Sequence, residues 1–263
     1  GSKSVVRREI VRLVTPGTLT EDTLLDARTS NFILSLNITT AGQAAIAWAD
    51  ISDGSFEVCA VETDRLEAQL ASLSPREIVL SESLYQSPAY REALRISGAA
   101  LTPLAGAKFD GRNAHKRLAD HYGVANLDAF GDFSKAELAA AGALLDYLEL
   151  TQAGDKPRLA PPRQRQTSGY MAIDAATRAS LEIERTQMGG KAGSLLSVID
   201  KTVSGPGARK LAAWLSRPLL DLRAIRARHD GVQYLFENNA VRADMRASLK
   251  RAGDAARATS RLV

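Results

Sequence analysis

The sequence predicts an α/β unit, a mixed five-stranded sheet with flanking helices, followed by a smaller all-helical unit. Three observations predict it. Three consecutive strand-like runs lie within residues 31–61, the first alternating as a half-buried strand does and the second almost continuously apolar, as a strand buried on both faces is. Past Thr63 the apolar period lengthens to threes and fours, interrupted by short apolar runs, the alternation of helix with buried strand. A stretch rich in proline, glycine and arginine, residues 153–169, then separates this part from one in which only helical spacing persists.

Each element has a local reason. Asn31–Thr39 alternates Phe32, Leu34, Leu36 and Ile38 against small or polar neighbours, Ala44–Ile51 is almost continuously apolar, and Ser55–Val61 is the third strand. Asp53-Gly54 between the last two marks a tight hairpin, because both residues tolerate positive φ. Thr63 is placed to cap a helix carrying Leu66, Leu70 and Leu73, which Ser74-Pro75 stops. Glu77–Leu80 and Ala100–Leu104 read as further strands, with Ser87-Pro88 opening a short helix between them. Asp110–Tyr122 is helical and closed by Gly123. Ser134 and Glu137 form the capping box of a helix running to about Gln152, with Leu138, Ala141, Leu145 and Leu148 on one stripe.

In the second unit Asp174 caps a helix to about Arg185, and Ser194–Val203 forms a short one. Ser204-Gly205-Pro206-Gly207 opens a helix with Leu211, Trp214 and Leu215 on one face. Asp221 caps a helix striped with Leu222, Ile225, His229, Val232 and Phe236. Asn238-Asn239 breaks it, and Val241, Met245 and Leu249 begin the next. Residues 5–14 read as an extended arm ahead of a Thr15-Pro16-Gly17-Thr18 turn.

Composition bounds what the chain can be. Its 263 residues are 45% hydrophobic and 5% aromatic, enough for one large or two ordinary cores. No apolar run is long enough to cross a bilayer. The lone cysteine, Cys59, excludes an internal disulfide framework. The net charge of +4 conceals a division. Residues 1–150 hold 14 Lys and Arg against 20 Asp and Glu, a charge of −6, and the remainder carries +10.

Little catalytic chemistry is visible. Gly189-Gly190-Lys191-Ala192 lacks the first glycine and the metal-binding hydroxyl of a phosphate-binding loop. His115 and His121 lie six residues apart and cannot share a helix face. His229 reads as a packed histidine, and Cys59 as a small hydrophobe without a histidine partner. Three antiparallel strands followed by α/β units is the strand order of the ribonuclease-H-like fold, whose enzymes gather carboxylates around two metal ions. Asp50 and Asp53 are the candidates here. The first strand carries Ser35 and Asn37 in its interior instead of a carboxylate, and the hairpin already accounts for Asp53. No catalytic, cofactor-binding or metal-binding residue is therefore assigned. Two basic pairs, Arg223 with Arg226 and Arg242 with Arg246, have the spacing to follow a nucleic-acid backbone.

Several segments resemble the MutS family of bacterial DNA mismatch repair proteins. They are Val14-Thr15-Pro16-Gly17-Thr18, Leu24-Leu25-Asp26 through Asn31, and Met171-Ala172-Ile173-Asp174-Ala175-Ala176-Thr177-Arg178 with Leu181-Glu182-Ile183. They continue as Leu195 to Val203, Gly207-Ala208-Arg209-Lys210-Leu211, Trp214 to Leu219, and Gly253-Asp254 through Arg261-Leu262. The resemblance implies a connector domain, ribonuclease-H-like but without nuclease activity, over residues 19–152. It implies a linker over 153–169 and the first part of the helical core or lever domain over 170–263. Residues 1–18 then read as a tag scar, from Gly1-Ser2, and the chain leaving a mismatch-recognition domain. The family's mismatch-reading Phe-x-Glu is absent from the sequence, as are ATPase motifs.

The expected function follows from that resemblance: a non-catalytic part of a longer protein, coupling nucleotide state and mismatch binding to recruitment of MutL. ATP and magnesium would bind elsewhere in the parent, which acts as a dimer on mismatched DNA in the bacterial cytoplasm, at the nucleoid. The alternatives are a metal-dependent ribonuclease-H-like nuclease and a weak non-specific DNA-binding module. An unfinished lever would also expose Leu222, Ile225, Val232 and Phe236, and so would self-associate or be mobile over 221–263.

Overall fold

A computed structural model describes residues 12–21, 24–153 and 156–260. The sheet is built from β1 (Ile33–Ile38), β2 (Ala44–Asp50), β3 (Ser55–Val61), β4 (Glu77–Ser81), β5 (Ala100–Leu104) and β6 (Arg163–Gln164), in the order β5-β4-β1-β2-β3-β6. β1 with β2 and β2 with β3 are antiparallel, whereas β4 lies parallel to both β1 and β5. The sheet therefore has six strands, not five. The sixth comes from the predicted linker: β6 runs parallel to the outer edge of β3, and Arg165 N donates to Val58 O. An exposed edge of unpaired N–H and C=O groups offers even two residues a place to pair.

Strand alternation divides the core into two layers. On one face Ala45, Ala47 and Ala49 of β2, with Ile33, Phe56, Val58 and Val79, pack under α4 (Gly111–Tyr122) and α5 (Lys135–Thr151). The small β2 side chains let α5 lie close to the sheet. The two helices approach so tightly that a Cβ on Gly142 would stand 2.4 Å from Ala114 Cβ. On the other face Leu34, Leu36, Ile46, Trp48, Ile78 and Leu80 pack against α1 (Leu66–Leu73), α2 (Glu82–Gln86) and α3 (Arg91–Ser97). Each fully buried leucine or isoleucine in these layers contributes about 1.5–3 kcal/mol.

Local signals mostly act as expected. Ser134 and Glu137 form both halves of the capping box, and Asp110 caps α4, which ends on Gly123 at φ +66°. Others differ. The β2–β3 connection is a four-residue loop in which only Gly54 has positive φ, while Asp53 accepts from Ser55 N as an Asx turn. Thr63 starts a 3-10 turn and caps nothing. Ser87-Pro88 opens no helix: α2 lies ahead of it, capped by Ser81 at the end of β4, and α3 behind it begins only at Arg91, with no side-chain cap.

The helical unit comprises α6 (Ala175–Ser180), α7 (Leu195–Ile199), α8 (Gly205–Ser216), α9 (Leu222–Glu237), α10 (Asn239–Arg251) and α11 (Ala255–Thr259). α6 stops well before Arg185, since the chain turns at Glu182 with φ +47°. Asp174, Ser194, Ser204 and Asp221 each accept from the backbone N–H three residues on, so the expected caps Asp174 and Asp221 are made, and α7 ends at Ile199, short of Val203. His229 is not packed: α9 leaves it exposed. Leu222, Val232 and Phe236 of the same stripe are exposed too, Phe236 by 77%. Most of the extended arm expected over residues 5–14 lies outside the described residues, as does 261–263. Of the arm, Leu13 N donates to Thr151 O.

Candidate coupling interface between sheet and helices

Most of the residues weighed for catalysis are engaged otherwise, while His229 is exposed. Asp50 ends β2 fully buried. Its Oδ2 accepts from Asn31 N at 2.9 Å and its Oδ1 from Ser52 N at 3.0 Å. Arg257 Nη2 stands 3.9 Å away. Burial, then the charge of Asp53, pushes the Asp50 carboxyl above its usual range, against the donors of Ser52 and Asn31 and the charge of Arg257. Asn37 and Ser35 lie beneath α5, where Asn37 Nδ2 donates to Ala136 O at 3.3 Å and Ser35 Oγ has no hydrogen-bond partner among the described residues. No group of three His, Cys, Asp or Glu side chains gathers among the described residues. Cys59 is buried, and desolvation pushes its thiol up to about 12, which suppresses the thiolate. His121 faces Glu149 Oε1 at 3.5 Å, and burial lowers its proton affinity.

The basic pairs divide as well. Arg223 and Arg226 are exposed on α9. Arg242 instead donates to Leu235 O and Phe236 O at the end of α9, and Arg246 donates to Lys201 O in the loop between α7 and α8, so the second pair fastens backbone within the helical unit.

Two arrangements escape a reading by motif. The first is Glu77, buried in β4. Its Oε2 accepts from Thr15 Oγ1 and from Gly17 N at 3.0 Å, and its Oε1 from Thr102 Oγ1 at 2.8 Å and Tyr147 OH at 2.6 Å. One carboxylate thus ties the Thr15–Thr18 turn, β5 and α5 together. Gly17 is required there, since a Cβ would stand 2.7 Å from Ile33 Cβ. A lone acidic residue heading an apolar run gives no sign of this in the sequence.

The second joins the two units. The loop at residues 26–31, just before β1, is held to the helical side by four cations, its own Arg28 and three from the helical unit, Lys191, Arg209 and Arg257. Arg28 Nη2 meets Asp200 Oδ2 at 2.7 Å and Thr202 Oγ1 at 2.8 Å, while Lys191 Nζ meets Asp26 Oδ2 at 3.0 Å. Arg209 Nη1 bridges Asp254 Oδ2 and Ala27 O, each at 2.8 Å, and Arg257 Nη2 donates to Thr29 O at 2.8 Å. Ser260 Oγ adds a bond to Ser52 O. α8 approaches this loop so closely that a Cβ on Gly205 would lie 2.6 Å from Ala27 O. The Arg28 backbone N–H, then Thr29 and Lys191, hold the Asp26 carboxyl down at about 2. Burial pushes Asp200 and Asp254 upward, but hydrogen bonds and arginines keep both below their usual range. Lys191, dismissed as a phosphate-loop lysine, belongs to this joint.

A second seam lies at the β3 edge. Arg165 pairs with Glu57 and lies 5.1 Å over Trp48. Arg217 lies 5.5 Å over Tyr170, and Tyr170 bridges to Leu219. Arg178, nine-tenths buried, donates to Ile173 O and Ser216 O.

Fold and site together define a two-unit protein, a mixed α/β sheet keyed to a set of helices by charged side chains, some buried and some exposed. The comparisons say which. The sequence model for MutS domain II matches residues 31–160 and that for MutS domain III matches residues 176–263. Proteins named DNA mismatch repair protein MutS are similar along the whole chain: 48% identical in Azorhizobium caulinodans, 51% in Cereibacter sphaeroides and 48% in Caulobacter vibrioides. The chain belongs to the MutS family. It spans about 29% of the length of each of these relatives. No described helix is long and apolar enough to cross a membrane.

Proposed function

We propose that the chain is the connector (residues 19–152), linker (153–169) and first part of the lever (170–263) of a DNA mismatch repair protein. On this reading it has no catalytic activity and couples mismatch binding and nucleotide state to a MutL-type partner. The observation that carries it is the joint at residues 26–31: a displacement of α7, α8 or α11 pulls directly on the chain entering β1. The order β3-β2-β1-β4-β5 favours a ribonuclease-H-like connector. Asp50 speaks against the nuclease reading, because its two oxygens are taken by Asn31, Ser52 and Arg257. The fastening of Arg242 and Arg246 to carbonyl groups weakens the case for a basic phosphate-tracking face.

In the whole protein, ATP and magnesium would bind outside this chain, and mismatched DNA would be held by a dimer in the cytoplasm, at the nucleoid. The exposed stripe Leu222, Val232 and Phe236 would let the chain alone self-associate. The test is a titration of the 263-residue chain with the MutL-type partner by calorimetry. Saturable binding that survives Phe236→Asp supports the connector reading. No binding by a folded chain, at concentrations where the whole protein binds, overturns it.

A further inference from the structure

The chain between the two units is fixed at both ends and lightly held in the middle. Ahead of β6, Pro157, Leu159 and Pro162 are buried, and Ala160 N donates to Gly54 O at 2.8 Å. Beyond it, residues 169–171 lie along the segment joining α8 to α9. Leu220 N donates to Gly169 O at 2.9 Å, Met171 N donates to Pro218 O at 2.8 Å, and Tyr170 bridges to Leu219. Residues 166–168, between these anchors, make no hydrogen bond among the described residues. The connection from Arg165 to Gly169 cannot stretch beyond about 14 Å, so it has little slack.

β6 itself is weakly docked. Both of its residues are exposed, and its ladder is two pairs long, Arg163 with Glu57 and Gln164 with Val58. Its other contacts are made by side chains at the rim. Gln164 Nε2 donates to Asp132 O at 3.0 Å and to the Glu137 carboxylate at 3.1 Å. Arg165 pairs with the partly exposed Glu57 and covers Trp48, which is only 2% exposed. A solvent-facing ion pair and a short edge ladder resist opening far less than a buried core does. The β3 groups that β6 occupies are those of an edge. Undocking turns them to water, and no other strand has to part.

We propose that residues 163–171 form a releasable strap: β6 undocks from β3 as a local unit, and the position of residues 218–220 sets whether it is docked. A shift of α8 against the sheet is passed through three unattached residues to Arg165 and Gln164. Their release uncovers Trp48 and takes a partner from Glu137, the carboxylate of the α5 capping box. Release stops at Pro162 and Leu159, whose side chains stay buried. The strap is a link between the units separate from the 26–31 joint, and it does not rest on the connector reading.

The test is amide exchange by NMR on the 263-residue chain. The Arg165 N–H, which donates to Val58 O, should exchange at least a hundredfold faster than the amides pairing β1 with β2, at a rate unchanged by low urea. Gln164→Ala should speed it at least tenfold further and leave β1 and β2 unchanged. Leu220→Pro removes the donor to Gly169 O at the far anchor, and should also speed exchange at Arg165 at least tenfold. That effect should vanish once Gly-Ser-Gly-Ser is inserted between Thr167 and Ser168, because a slack connection transmits nothing. Arg217→Gln, which strips the cation from the Tyr170 ring, is the second perturbation if Leu220→Pro does not fold. In a Trp214→Phe background, Trp48 is the sole fluorophore of its kind, and its emission should move to longer wavelength in the same variants that speed exchange. Arg165 exchange as slow as that of β1, or a far-anchor effect that persists through the insertion, overturns the proposal.

Discussion

Glu77 shows how much one carboxylate organises. Its four donors come from three separated stretches of chain, and one of them, Gly17 N, cannot reverse to accept. Glu77→Ala is expected to cost about 3–5 kcal/mol, as for breaking a buried charged network. Glu77→Gln should cost less, about 1–3 kcal/mol, because the Thr102 and Tyr147 hydroxyls can turn toward an amide nitrogen. Urea denaturation of the two variants checks both size and order, and an equal cost for both would contradict this account. The sequence holds no hint of the network, since its partners lie 25 to 70 positions away. Asp110, Ser134, Asp174 and Asp221 are legible for the opposite reason: a cap closes over three residues.

The titrating residues at the joint make a second prediction. Asp26, Asp200 and Asp254 have folded-state affinities for protons below those of the free side chain. Their stabilisation is complete above the unfolded value of 3.8 and is lost as pH falls through the folded values, down to about 2 for Asp26. Asp50, raised by burial, acts with opposite sign and favours folding as it gains its proton. Thermal unfolding followed from pH 5 to pH 2 should therefore show a falling Tm, shallower in Asp26→Asn and steeper in Asp50→Asn. Parallel profiles for all three proteins would refute the assignment.

Among the elements, α5 is the most exposed to a single substitution. Its N-terminus rests on the Ser134 and Glu137 box, and its middle rests on a glycine with no room for a methyl group. Ser134→Ala should cost about 1 kcal/mol. Gly142→Ala, which ordinarily stabilises a helix, should destabilise by about 1–3 kcal/mol, since Ala114 belongs to the rigid α4 backbone and cannot yield. Equilibrium unfolding decides this, and a stabilising Gly142→Ala would show that α4 and α5 can separate. The periodicity of α5 is plain in the sequence. Its closeness to α4 is not, because Gly142 in an alanine-rich helix looks like one more small residue. β6 is the converse case: two residues of a proline-rich stretch have no period to read, and only the free edge of β3 makes them a strand.

For the whole molecule, the joint at residues 26–31 ties the two units together. Arg257 reaches across to the carbonyls of Asp26 and Thr29 and to Asp50. Arg257→Ala should leave the sheet core folded while raising amide exchange at least tenfold at residues 26–31 and 255–260. Hydrogen exchange with mass spectrometry reads this directly. Uniform acceleration across β1 to β5 would mean that Arg257 supports the sheet itself and is no joint.

Five of the six strands, the caps of most helices and the family can be read from the sequence alone. These rest on interactions within a few residues or on patterns that recur along the chain. The sixth strand, the Glu77 network, the role of Lys191 and the arginine-lined seam emerge only once the chain is folded. Each of those depends on groups brought together from distant parts of the chain: a free strand edge for β6, and charged groups with their partners for the others, buried at Glu77 and exposed at Lys191.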